Sequence, residues 1–175
     1  MRKLTMPELN RLSLTEYQEV EKLDVIVVLD NVRSLSNIGS FFRTSDAFRI
    51  GEIFLCGITA CPPHREIHKT ALGAEESVKW RYFEKTEDAC KYLKENDYVI
   101  NAVEQIENSI MLNDYVPLNK SAYIFGNEVD GVDEEVLPYC DNAIEIPQEG
   151  TKHSLNVSVS AGIVMYHLFS SLWKK

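Results

Sequence analysis

The chain has 175 residues, of which 45% are hydrophobic and 26% charged, and its net charge is −9. That is enough apolar material for one domain with a packed core, and too much for a disordered chain. No apolar run approaches the roughly 18 residues of a membrane span, and MRKLTMPELNRL lacks the apolar stretch of a secretory signal. A cytoplasmic protein without membrane association is the expectation.

Residues 1–22, with Leu9, Leu12, Leu14, Tyr17 and Val20, read as a short helical lead-in to a domain spanning 23–175. Asp24–Leu29 is a β-branched apolar run, short enough for a strand buried on both faces. A helix is predicted to begin near Ser36 or Asn37, both good N-caps, and to end at Gly51 before a strand over 52–56. Pro62-Pro63 breaks the chain ahead of a short helix over 65–72. A strand over 78–83, a helix over 86–96 and a strand over 98–103 follow. Strands are expected at 122–125 and 143–146, with a helical turn over 133–137 between them. An amphipathic helix over 154–172 closes the chain. Alternation of this kind predicts an α/β fold, a mostly parallel sheet flanked by helices.

Charge is unevenly spread. Residues 101–149 hold 1 basic and 11 acidic side chains, so this segment alone contributes −10 and the rest is near balance. A nucleic-acid-binding face is therefore not excluded, but it must be local and is a candidate for sharing between subunits. Cys56, Cys61, Cys90 and Cys140 have no paired spacing and read as reduced thiols. No metal site is expected: His64 and His68 stand four apart without the H-E-x-x-H pattern or a third ligand. Neither a G-x-S-x-G elbow nor a G-x-G-x-x-G fingerprint occurs. Trp80 and Tyr82 alternate on a strand and read as core.

Three loops carry the remaining chemistry. In Asn37-Ile-Gly39-Ser-Phe-Phe-Arg43, a small residue lies one turn below an arginine, leaving room for an anionic ligand to reach the guanidinium. Gly126-Asn-Glu128-Val-Asp-Gly131 follows a buried strand, with two glycines that permit tight turning around Glu128. In Ile146-Pro147-Gln-Glu-Gly150-Thr-Lys-His-Ser154-Leu-Asn156-Val-Ser158, a strand stops and a helix opens on polar residues. Ser154, Ser158 and Ala161 are expected along one face of that helix.

Taken in order and at this separation, the three loops closely resemble the motifs of the SpoU (TrmH-like) RNA ribose methyltransferases of the SPOUT superfamily, over residues 22–172. The resemblance implies an α/β sheet whose C-terminal part forms a deep trefoil knot, S-adenosylmethionine as cofactor, and a homodimer acting on tRNA or rRNA. It also implies Arg43 as the catalytic arginine with Asn37 beside it, and Glu128, Ser154 and Asn156 completing the catalytic and substrate-contacting set. Gly126, Ile146 and Leu155 would hold the cofactor, with Ala102 a further candidate from the preceding strand end. Gln148 departs from the methionine often found there in the family. The implied reaction is methyl transfer to a ribose 2′-hydroxyl. Arg43 acts in it either as base or as a clamp on the developing alkoxide and an adjacent phosphate; its resistance to deprotonation favours the second. The alternatives are a catalytically silent RNA-binding dimer of the same fold and a base-methylating relative.

Overall fold

The computed structural model describes residues 1–5 and 7–173; Lys174 and Lys175, the end of the expected domain, lie outside the described residues. Seven strands form one sheet: β1 (Leu23–Asp30), β2 (Ile50–Cys56), β3 (Trp80–Phe83), β4 (Val99–Val103), β5 (Ile110–Met111), β6 (Ser121–Phe125) and β7 (Asn142–Glu145). Their order is β3-β2-β1-β6-β4-β7-β5, and all six pairings are parallel. The expected α/β class is therefore what forms. Six helices accompany the sheet: α1 (Leu14–Glu19), α2 (Leu35–Ala47), α3 (Arg65–Ala71), α4 (Ala74–Ser77), α5 (Thr86–Glu95) and α6 (Val157–Leu172).

Both faces of the sheet are covered, which is why β1 and β6 are apolar almost throughout. Val25, Val27 and Leu29 point into a core shared with Phe41 and Phe42 of α2, Ile67 of α3, and Val164 and Leu168 of α6. Ile26 and Val28 point the other way, toward Ala89 and Leu93 of α5. Parallel pairing brings the carboxyl ends of β1, β6, β4 and β7 to one edge. There the chain order reverses, since β2 and β3 lie on one side of β1 and β4 lies beyond β6. Such a reversal leaves a crevice at the carboxyl edge, the place where open α/β sheets bind ligands.

Several boundaries differ from the sequence expectation. Helix α2 starts at Leu35, capped by Ser34, whose extended backbone lets its Oγ accept from Asn37 N at 3.3 Å. Asn37 is thus an interior residue of the helix, and its side chain is free for other partners. The helix ends at Ala47, not at Gly51, and Gly51 lies inside β2, where a Cβ would come within 2.6 Å of Leu23 O. Gly39 does not leave space for a ligand. It lets α3 pack onto α2, because a Cβ there would meet Ile67 O at 2.3 Å. The last helix begins at Val157 with Asn156 as its N-cap, so Ser154 sits in the preceding loop and does not share a helix face with Ser158 and Ala161. The turn after Asp133 tightens into a 3-10 segment, Leu137–Tyr139, around Pro138. Tyr82 is half-exposed, with its hydroxyl donating to Gly57 O at 2.9 Å, and is not core. Two short elements, α4 and β5, carry too few residues for a readable period.

Candidate active site

The loops that leave β6, β4 and β7 enclose a cleft of about 440 Å3 at the carboxyl edge of the sheet. Its outer wall is the loop after β6. Gly126 is required there by close approach, since a Cβ would fall 1.8 Å from the carbonyl carbon of Gly131. Gly126 adjoins a bridge in which Asn127 and Gly131 exchange backbone hydrogen bonds of 3.1 and 3.2 Å. Asn127 Oδ1 accepts from Val129 N and Asp130 N, both at 2.9 Å, and closes the turn that presents Glu128.

Glu128 is the meeting point of the first two motifs. Its Oε1 accepts from Asn37 Nδ2 at 2.8 Å and from Ser34 N at 3.1 Å, while Oε2 accepts from Arg33 N at 3.1 Å. Burial pushes its pKa up, but the hydrogen bonds from Asn37, Arg33 and Ser34 together outweigh that, and the carboxyl sits below its ordinary value. The third motif joins through Asn37 Oδ1, which accepts from Asn156 Nδ2 at 3.2 Å and Ser158 Oγ at 3.3 Å. Asn156 Oδ1 in turn caps α6 by accepting from Ser158 N at 2.9 Å. Each amide oxygen or nitrogen in this chain has a partner, so its flip state is dictated by its neighbours.

Three anchors supporting this arrangement were not read from the sequence. Asp30, buried at the end of β1, accepts from Asp133 N at 2.9 Å and so ties the loop after β6 to β1. Glu104, just past β4, accepts from Val132 N at 3.1 Å and Gln105 N at 2.9 Å. Gln105 Nε2 donates to His153 O at 3.2 Å and pins the loop before α6. The one available signal was position: Asp30 and Glu104 are charged residues at the carboxyl ends of buried strands.

Asn37, Glu128 and Asn156 are thus directly hydrogen-bonded, and Gly126, Ile146, Ser154 and Leu155 line the cleft. Ala102 does not. It is fully buried within β4, and the lip is made by the next residues, Val103, Glu104 and Gln105. Arg43 is exposed on α2 and lines a separate cavity that shares no residue with the cleft. His64 Nδ1 caps α3 by accepting from Glu66 N, and His68 is bonded to Glu75, so both rings are occupied locally.

The cleft is lined by four carboxylates (Glu104, Glu128, Asp130 and Glu145) and by no lysine, arginine or histidine, with apolar walls from Val103, Phe125, Ile146 and Leu155. This lining suits a ligand that combines positive charge with a flat apolar ring system. S-adenosylmethionine, with a sulfonium, an ammonium and one carboxylate, is a net cation that also carries an adenine ring, so the residues fit the implied cofactor.

This arrangement is that of a parallel α/β protein with a ligand cleft at the carboxyl edge of its sheet. The SpoU rRNA Methylase family model matches residues 24–166, and the chain belongs to that family. It is 31% identical over 159 residues to the tRNA (guanosine(18)-2′-O)-methyltransferase of Thermus thermophilus, covering 91% of this chain and 81% of that one. It is 29% identical to the 23S rRNA (guanosine-2′-O-)-methyltransferase of Neisseria meningitidis serogroup B, covering 81% of this chain and 56% of that one. Among solved structures, the A. aeolicus TrmH/SpoU tRNA modifying enzyme superposes with a TM-score of 0.81 at 25% identity, covering 90% of this chain and 80% of that one. The AdoMet-bound rRNA methyltransferase of Sinorhizobium meliloti shares the fold, with a TM-score of 0.81 at 24% identity over 90% of this chain and 61% of that one.

Proposed function

We propose that the chain transfers a methyl group from S-adenosylmethionine to a ribose 2′-hydroxyl of tRNA or rRNA, as a cytoplasmic homodimer with residues 23–175 as the catalytic unit and the knotted C-terminal part that the family likeness implies. The observation that carries this reading is the Glu128–Asn37–Asn156 chain of hydrogen bonds, which unites all three motifs at the rim of an acidic cleft.

When bound, the cofactor supplies an electrophilic methyl group on a sulfonium. Gly126, Ile146 and Leu155 would hold it through backbone groups and apolar contact at the cleft wall, in a site whose carboxylates favour its positive charge. Glu128 fixes the Asn37 amide, and Asn37 fixes Asn156, so the rim is preorganised before substrate arrives. Ser154, exposed and lining the cleft two residues before Asn156, would contact the ribose. Arg43 would stabilise the developing alkoxide, whose proton passes to solvent water as the methyl leaves the sulfonium for the oxygen, and hold a neighbouring phosphate through its planar fork.

Dimerisation is supported by two observations. Arg43 does not line the cleft of its own chain, so one copy leaves the catalytic set divided. Val159, Ile163 and Tyr166 are 51%, 38% and 60% exposed and form an apolar stripe along α6, the helix whose first turn lines the cleft.

Mass spectrometry of nucleosides from a deletion strain tests the reading. Loss of one 2′-O-methylated nucleoside, restored by the purified protein and S-adenosylmethionine, is expected. Unchanged RNA, together with no calorimetric affinity for the cofactor or its demethylated product, would overturn it.

A further inference from the structure

The cavity that holds Arg43 has a volume of about 560 Å3 and is lined by three arginines, Arg11, Arg43 and Arg49. Asp46 and Glu76 also face it, leaving one net positive charge in a protein whose total is −9. Ion pairing among the described arginines involves Arg2, Arg33 and Arg81, and none of the cavity's three takes part in it. Arg49 is oriented by stacking over Trp173, with its guanidinium carbon 4.6 Å from the ring centroid. Three arginines lining one concavity, outside any ion pair among the described residues, suit an oxyanion, since each guanidinium carries a fork of donors for tetrahedral oxygens.

Arg11 comes from the N-terminal segment, which precedes the residues matched by the family model. That segment is held in place. Ser13 and Glu16 form a reciprocal capping box at the start of α1, and buried Tyr17 donates its hydroxyl to Asp46 O on α2 at 3.2 Å. Arg11 lies two residues before this cap, in the exposed stretch that leads into α1.

We propose that the N-terminal segment completes, with Arg43 and Arg49, a binding site for a phosphodiester of the RNA substrate, and that Arg11 positions the strand without taking part in methyl transfer. This rests on the reading above that the chain acts on RNA. It assigns the grip on the strand to residues 1–22 as well as to the methylase core.

The test is filter binding of total RNA from a strain lacking the enzyme, without cofactor, across a salt series. Arg11→Ala should weaken binding about threefold to tenfold near 0.1 M salt and flatten the salt dependence by about 0.7–0.9 per lost phosphate contact, with Arg11→Lys keeping the slope. Arg65→Ala, an exposed arginine on α3 that does not line the cavity, should leave the slope unchanged. In single-turnover transfer, Arg11→Ala should raise the RNA concentration needed for half-maximal rate while leaving the limiting rate and cofactor affinity alone. A wild-type slope in Arg11→Ala, or an equal loss in Arg65→Ala, overturns the proposal while methyl transfer by the wild type stands. An Arg11-dependent slope without methyl transfer to any RNA instead upholds the site and overturns the functional reading.

Discussion

The cleft at the carboxyl edge and the cavity beside α1 share no lining residue, and their charges are opposite. The cleft is lined by four carboxylates and no base, while the cavity gathers Arg11, Arg43 and Arg49. A net charge of −9 therefore describes neither. An acidic chain can act on a polyanion if its carboxylates collect where a cationic cofactor binds and its unpaired arginines collect elsewhere, because fields from exposed charges fade over roughly 8–10 Å at physiological salt.

Removing the central arginine should break this division of labour most sharply. Arg43→Ala is expected to lower single-turnover methyl transfer about a hundredfold or more, roughly 3 kcal/mol of transition-state stabilisation, with cofactor titration unchanged. Arg43→Lys should recover little, since lysine keeps the charge and loses the fork. Transfer near the wild-type rate would reduce Arg43 to a surface arginine.

The cleft has its own vulnerable point at Gly126. Gly126→Ala places a methyl 1.8 Å from backbone carbon, and a β-bridge cannot retreat as a flexible side chain can. Calorimetry should show cofactor binding lost, and urea unfolding should show about 1–3 kcal/mol of destabilisation. Binding of RNA should survive better than binding of cofactor, which separates the two regions.

A third variant asks whether the regions meet across a dimer. Ile163→Asp puts a charge in the exposed apolar stripe of α6. Sedimentation should then show a monomer that keeps affinity for the cofactor and loses transfer. A dimer with full activity would show that the stripe is not the contact.

Smaller effects are expected within the network. Asn156→Ala removes one donor to Asn37 and the cap of α6, costing about 1 kcal/mol of stability and a few-fold in rate, since Glu128 still holds Asn37 from the other side. Glu128→Gln should show its effect through pH. The Glu128 carboxyl sits lower folded than unfolded, so its contribution to stability is complete above its ordinary value and disappears as pH falls through the folded value. The stability difference between wild type and Glu128→Gln should be constant near neutrality and shrink only in acid, as urea titrations at stepped pH would record.

Much of this was legible in the sequence because the signals were local. The apolar runs of β1 and β6 and the alternation of strand and helix required a parallel α/β sheet, and the spacing of three polar loops pointed to one family. The resemblance to that family likewise singled out Asn37, Glu128 and Asn156, which the fold joins by hydrogen bonds. Tertiary structure decided the rest. It put Asn37 inside α2, capped by Ser34, since Ser34 and Ser36 offer equal capping chemistry and it is Ser34 whose backbone N–H donates to Glu128. Packing of α3 took the space above Gly39 that local spacing had assigned to a ligand. Above all, the sequence placed Arg43 six residues from Asn37, whereas the fold bonds Asn37 to the cleft residues Glu128 and Asn156 and sends Arg43 to a separate cavity, because residues six apart on a helix project from different faces.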